Sequence, residues 1–372
     1  MQSGRRCGNP AVLECALPRH AAGAIDAPAD TADAPRHCPP AASSGEWPMT
    51  GTAGPNTVIP VLDLGPVFAG EPGALEATAA ELRRVCETVG FLYIRNHGVP
   101  QALIDATFDA AARFHAQPLE AKMALKLDDA MQGYLPYRSS TTRANGLVAV
   151  RKPNENEAFF VNPERDPAKP ANRWPDSVPG FRETTLRYYA EMEALARRML
   201  PLYARALDLP ADFFDARCDA PLASLRLTHY PPVEYGADEY GIAPHTDSSF
   251  ITLLAQNPVP GLQIRTQAGE WIDAPVIPGT YVVNTGDVLN RWSNGRFLST
   301  PHRAVNMQPR ARYAIPFFYH PNPETSLECL PTCTDAANPP RFPAQTVGEY
   351  MAWFRNSNYD HFRAKPAATA AV

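Results

Sequence analysis

An all-β barrel or jelly roll flanked by helices is the fold class this sequence predicts, and two observations carry it. After Pro221 the apolar pattern takes a period of two, in short runs separated by turn signals such as Pro260-Gly261, Pro278-Gly279 and Asn294-Gly295. Before that point the longest patterned segments repeat at helical spacing instead. The chain has 372 residues, 45% of them hydrophobic, enough to bury a full core.

Residues 1–55 are rich in Ala, Pro, Gly and Ser, show no periodicity and are expected to be disordered. Met49 stands just before the first ordered-looking run and is a candidate native start. Arg5-Arg6 opens like an export signal, but Glu14 interrupts the apolar segment that follows. Order begins with the β-branched run Val58–Leu64, read as a strand. A helix follows over 73–88, with Leu75, Ala79, Leu82 and Cys86 along one face. Phe91–Ile94 reads as a second strand, and 100–126 as one or two amphipathic helices. The stretch 130–180 has little periodicity and many Pro, Asn and Gly residues, which predicts a long loop: either a lid or pocket wall, or a surface excursion that packs one or two aromatics. A strong helix is expected over 182–207, with Leu186, Leu195, Met199 and Leu202 buried. Strands are then expected at 223–230, 250–255, 261–265, 281–284, 302–307 and 312–320, and a last helix near 346–363.

Composition narrows the function. The formal net charge is −5, with both signs spread along the chain and no Lys/Arg-rich run, which argues against nucleic-acid or membrane-surface partners. No stretch of about 18 apolar residues exists to span a bilayer. The seven cysteines, irregularly spaced, look like reduced thiols rather than a disulfide framework. Cys329 and Cys333 lack the two further ligands a zinc site needs. The expected compartment is the cytoplasm.

The chemistry concentrates in Pro244-His245-Thr246-Asp247. On an extended chain, side chains two apart point to one side, so His245 and Asp247 can converge on one ion. Alone, such a doublet is better explained by a turn with a local hydrogen bond. His302, in Ser299-Thr300-Pro301-His302-Arg303, is the third candidate ligand. Arg312 follows in the alternating run Arg312–Tyr319, which puts Arg312 and Ala314 on one face and Tyr313, Ile315 and Phe317 on the other. An arginine in an apolar strand calls for an anion, and a carboxylate matches its planar fork. A structural Asp or Glu would satisfy it too. Two histidines and one carboxylate form the ligand set of iron(II) oxygenases, with sites left open on the metal. Zinc with the same set would point to hydrolysis, which has no use for the buried arginine.

These segments resemble the isopenicillin N synthase-like family of iron(II)/2-oxoglutarate oxygenases over about residues 57–363. Ile59–Leu64 and Gly90–Val99 are similar to the family's opening segment, where His97 belongs to a structural turn. Leu227-Thr228-His229-Tyr230-Pro231-Pro232 resembles its Tyr-Pro-Pro strand, and Asn284-Thr285-Gly286-Asp287 with Asn290–Gly295 the approach to the third ligand. The resemblance implies a mostly β fold with flanking helices around a double-stranded β-helix (jelly roll) core. It implies an N-terminal extension at 1–55, an α/β region at 56–220, the core at 221–325, and a C-terminal helix and tail at 326–372. It also implies iron(II) held by His245, Asp247 and His302, with no catalytic residues beyond these ligands. O2 and 2-oxoglutarate would be cosubstrates, with Arg312 on the distal carboxylate of 2-oxoglutarate and Tyr230 donating a hydrogen bond to it. The implied reaction oxidises an unactivated C–H bond of a small molecule, by hydroxylation, desaturation or cyclisation, and yields succinate and carbon dioxide. Tyr134, Phe160 and Phe318 are the candidate pocket residues.

One departure stands out. The family's Arg-x-Ser reads Arg312-Tyr313-Ala314 here, so a serine hydroxyl is missing. A hydrogen bond to a charged group contributes roughly 1.5–3 kcal/mol, so its loss bears on cosubstrate affinity. Isopenicillin N synthase itself uses no 2-oxoglutarate, which leaves open an iron oxidase that takes all its electrons from the substrate. A catalytically silent binding module is the third reading, opposed by the intact ligand set.

Overall fold

The computed structural model describes residues 58–142, 152–165 and 172–358. The expectations for 1–55 and Met49, and the far end of the last helix, lie outside the described residues.

Among the described residues, twelve strands form two sheets. The larger has the order β1-β2-β10-β7-β12-β5-β4-β3 and the smaller β6-β11-β8-β9. The strands from Ala223 onward are β5 (Ala223–Tyr230), β6 (Ile242–His245), β7 (Ile251–Gln256), β8 (Leu262–Arg265), β9 (Trp271–Ala274), β10 (Tyr281–Thr285), β11 (His302–Ala304) and β12 (Arg312–Tyr319). Along this stretch the chain passes back and forth between the two sheets, which is the winding of a double-stranded β-helix. The N-terminal half adds β1 (Val61–Asp63) and β2 (Phe91–Arg95) at one edge of the larger sheet. It adds β3 (Gly133–Leu135) and β4 (Glu157–Val161) at the other.

Alternation divides each strand of the large sheet between two environments. Ile315, Phe317 and Tyr319 of β12 join Leu225 and Leu227 of β5 in the main core. After the one-turn helix α1 (Gly65–Phe68), the helices covering that face are α2 (Ala74–Thr88), α3 (Gln101–His115) and α5 (Phe181–Ala206), whose apolar stripes include Leu82, Phe114, Tyr188, Met192 and Met199. The opposite face looks between the sheets. There Phe91, Tyr93 and Val282 pack on Leu262 and Ile264 of the small sheet, and Tyr230 and Ala314 pack on Ala304. The site is built on this inner face.

Three sequence expectations needed revision. The loop expected over 130–180 contains β3 and β4, paired antiparallel with each other and, through β4, with β5. All five residues of β4 are buried, so the polar half of an alternating pattern, the usual sign of a strand, is missing. Three short elements, β6, β9 and the helix α6 (Asp287–Trp292), were too brief to show a period. The buried stripe of α5 runs through Tyr188 and Met192, with Leu186 only half-buried. The two strand prolines fit their places. Pro244 lies on β6, an edge strand, and the β5–β12 register lapses between Ala314 and Phe317, where Pro316 has no N–H to donate. Cys86, Cys218, Cys329 and Cys333 are free thiols, and among the described residues no helix is long and apolar enough to cross a membrane.

Candidate metal centre and cosubstrate pocket

β6 and β11 are hydrogen-bonded neighbours with His245 directly opposite His302. That register brings the two rings to 4.3 Å between centroids. Asp247 follows β6, and its Oδ1 lies 3.7 Å from His245 Nε2 and 3.6 Å from His302 Nε2. The three residues form a cluster whose ligand atoms are close enough to share one ion.

Neighbouring groups aim these atoms. His245 Nδ1 donates to the Ala243 carbonyl at 2.9 Å and His302 Nδ1 to the Thr300 carbonyl at 3.1 Å. Each bond fixes the tautomer and leaves the Nε2 lone pair facing the cluster. Asp247 Oδ2 accepts from Thr252 Oγ1 at 2.7 Å and from Asn284 Nδ2 at 2.8 Å, which leaves Oδ1 for a metal. Burial opposes the charge on Asp247, but the adjacent His302 and His245 outweigh it and hold the carboxyl well below its ordinary range. Burial, reinforced by His302, pushes His245 down to about 4, so its imidazole is neutral and available as a ligand near neutral pH. Two imidazoles and a carboxylate suit iron(II).

Arg312 begins β12 on the inner face, opposite Tyr230 of β5. It is 2% exposed. Its Nη2 donates to Gln256 Oε1 at 2.9 Å, and its guanidinium lies 4.8 Å from the Tyr230 ring centroid. Nε and Nη1 are buried with no hydrogen-bond partner among the described residues. A buried cation with two idle donors is costly unless an anion completes it. The distal carboxylate of 2-oxoglutarate has the charge and the two oxygens to do so. Ala314, the next residue on that face, is buried in register with Thr228 of β5 and Gln256 of β7.

Beside His245 opens a cavity of about 130 Å³, walled by Phe160, Arg226, Thr228, Thr246, Asp287 and Phe354 among others. Of the three candidate pocket residues, Phe160 lies on this wall. Phe318 does not: its ring backs the Arg226 guanidinium at 4.4 Å, while Phe160 flanks the same group at 4.5 Å. Tyr134 lies on the opposite face of the sheet. It pairs with Phe159, whose side chain enters the helix-side core, and alternation gives the cavity Leu135 and Phe160 instead. Its hydroxyl donates to Glu157. Arg226 and Thr228 went unnoticed in the sequence, although strand alternation places both on the face of Tyr230. Phe354, near the end of the last helix, α7 (Val347–Asn358), left no signal at that distance in sequence.

Glu157 belongs to a second cluster, with His115 and His229. Lys122 Nζ lies 2.8 Å from its Oε2, and His229 Nδ1 lies 2.8 Å from its Oε1. The carboxylate is thus already matched by an ammonium group. The cluster ties α3 and α4 (Leu119–Met123) to β4 and β5, and is read as structural. His97 is not part of the His245–Asp247–His302 cluster: its Nδ1 accepts the Val99 N–H in a turn.

A jelly roll carrying two histidines and one aspartate, with an incompletely paired arginine buried on its inner face, defines a non-haem iron(II) oxygenase site. Comparison with known proteins gives the family. Residues 221–321 match the model of the 2OG-Fe(II) oxygenase superfamily, and 59–177 match the non-haem dioxygenase in morphine synthesis N-terminal model. A 2-oxoglutarate-Fe(II) type oxidoreductase of Emericella nidulans is 35% identical over 83% of this chain and 92% of its own. Homoarginine-6-hydroxylase of Glycine max is 32% identical over 79% of this chain and 95% of its own. A full-length Neurospora crassa protein, solved in complex with alpha-KG and thymine, superposes with a TM-score of 0.72 at 29% identity, covering 79% of this chain and 95% of that one. The chain belongs to the 2OG-Fe(II) oxygenase superfamily. It is an oxidoreductase that uses iron(II), 2-oxoglutarate and O2, which sets aside the oxidase and silent-module readings.

Proposed function

We propose that His245 Nε2, Asp247 Oδ1 and His302 Nε2 hold the iron, that Arg312 and Tyr230 hold the distal carboxylate of 2-oxoglutarate, and that the cavity beside His245 takes a small organic substrate. The observation that carries the reading is the pair of idle nitrogens on buried Arg312. A bound iron(II) would activate O2, the oxidant. The chain's own residues supply the rest. Nδ1 hydrogen bonds keep both imidazoles oriented, Thr252 and Asn284 keep Oδ1 of Asp247 turned to the ion, and Arg312 fixes the far end of the cosubstrate. In its hydroxylation form the reaction balances as R–H + O2 + 2-oxoglutarate → R–OH + succinate + CO2; desaturation or cyclisation of the same substrate class would release water instead.

On the substrate, the similar proteins point to small molecules: one is named homoarginine-6-hydroxylase, and the Neurospora crassa structure holds thymine. The cavity suits a molecule of that scale. Its wall sets the Arg226 guanidinium beside aromatic and aliphatic surface, which favours a compact substrate with a hydrogen-bond-accepting or anionic edge. Neither a nucleic-acid nor a membrane partner is part of the proposal. The test is anaerobic titration of iron(II) with and without 2-oxoglutarate, following the weak visible charge-transfer band of the chelate. A band that needs both components, and that is lost in His302→Ala, is the expected result. A band of wild-type strength in His302→Ala would remove that ligand.

A further inference from the structure

Facing sheets in a jelly roll are normally held about 10 Å apart by the side chains between them. At two points beside the cosubstrate pocket the small sheet offers none. Gly261 immediately precedes β8. A Cβ built there would fall 2.1 Å from the Val305 carbonyl oxygen, 2.9 Å from Arg312 Cδ and 3.1 Å from Arg312 Nε. Gly241 immediately precedes β6, and a Cβ there would fall 2.7 Å from Tyr230 Cδ1, 3.1 Å from Tyr230 Cε1 and 3.0 Å from the Ala304 carbonyl oxygen. Since β6 and β8 flank β11 on its two sides, the glycines bracket the Ala304–Val305 end of β11. Each therefore lies against one of the two side chains assigned to the cosubstrate.

Neither wall can retreat easily. The Val305 N–H donates to the Gly261 carbonyl at 2.8 Å, and Asn156 Nδ2 donates to the Gly241 carbonyl at 2.7 Å. At Gly241 the atoms met are an aromatic ring and a backbone carbonyl; at Gly261 they are a backbone carbonyl and the Arg312 side chain itself. Gly241 is not among the positive-φ residues, so close approach rather than backbone conformation accounts for a glycine there. At Gly261 the added methyl would press on Arg312 Nε, one of the two nitrogens without a partner.

We propose that Gly241 and Gly261 are positioning residues for 2-oxoglutarate: bare backbone on which Tyr230 and Arg312 rest, fixing where the distal carboxylate is held. The proposal rests on the assignment of those two side chains to the cosubstrate. It also bears on Ala314. With the serine hydroxyl absent, the placement of the Arg312 fork matters more, because fewer groups share the carboxylate.

The test uses the full-length protein loaded with iron(II) under anaerobic conditions. Two keto acids are titrated by the visible chelate band: 2-oxoglutarate, and 2-oxobutyrate, which has the same chelating end but no distal carboxylate. Wild type should prefer 2-oxoglutarate. Gly261→Ala should lose about tenfold or more of that preference, the weight of one hydrogen bond to a charged group, while 2-oxobutyrate and iron(II) bind as in wild type. Gly241→Ala should act in the same direction and more mildly, and it decides the matter if Gly261→Ala does not fold. An unchanged preference in the folded glycine variants overturns the proposal. So does parallel weakening of both keto acids and iron, which marks a purely structural role. Arg312→Lys in the same titration separates the two levels. If it too leaves the preference intact, the assignment of Arg312 has failed. If it alone removes the preference, only the positioning role has.

Discussion

Replacing Arg312 by lysine changes shape while keeping charge. In the structure Nη2 is engaged by Gln256, and Nε and Nη1 are the donors left for a carboxylate. A lysine ammonium is a single point donor group on a flexible stem and cannot reproduce a planar two-point contact. Losing one charge-assisted hydrogen bond is worth roughly 1.5–3 kcal/mol, which corresponds to about 10- to 150-fold in the dissociation constant of 2-oxoglutarate. Iron(II) affinity should hold, because Arg312 is outside the cluster of His245, Asp247 and His302. The assay is the anaerobic chelate titration, paired with an iron(II) competition measurement. A 2-oxoglutarate affinity within about twofold of wild type would refute the reasoning, since a tenfold loss is the smallest that one such bond allows. A loss shared equally by iron would point to a collapsed site instead.

Four further outcomes follow. His245→Ala, Asp247→Ala and His302→Ala should each abolish succinate formation while far-UV circular dichroism stays native-like, as three protein ligands are the minimum for this centre; full turnover in any one removes that residue from the ligand set. Ala314→Ser should tighten 2-oxoglutarate by up to about tenfold, and by less if the Thr228 hydroxyl, in register with Ala314, already serves the carboxylate; weaker binding would mean that the hydroxyl meets no acceptor. Glu157→Gln should cost about 3–5 kcal/mol in denaturant melts by leaving the Lys122 charge buried and unmatched, without altering iron affinity. The same cluster sets an acid limit on stability. Burial holds His115 below its ordinary pKa, and Glu157 is held well below its own because the neighbouring His115, His229 and Lys122 together outweigh burial. Both groups then bind fewer protons folded than unfolded. Their contribution is complete above pH 6.5, the ordinary histidine value, and declines as pH falls below it. A melting temperature that rises on acidification from pH 6.5 to 4.5 would contradict this.

The sequence by itself determined the class of fold and the candidate iron ligands. Spacing carried that information. His245 and Asp247 are two apart on extended chain, His302 and Arg312 sit beside turn-punctuated runs, and the period-two pattern after Pro221 fixes which side of β12 carries Arg312. Such features are local, and local periodicity is what a sequence displays directly. Tertiary structure decided whatever depended on which strand lies beside which. The pairing of β6 with β11 set the two imidazoles side by side, and the pairing of β4 with β5 turned an expected loop into a cavity wall. A one-residue difference in alternation sent Tyr134 to Glu157 and the main core but Phe160 to the cavity, which a stretch without visible period could not announce. Arg226 was legible in principle, two strand steps from Tyr230, yet its place between Phe160 and Phe318 needed three strands in register. The two glycines against Tyr230 and Arg312 follow the same rule: in the chain they look like turn residues, and only the approach of two sheets gives them something to hold.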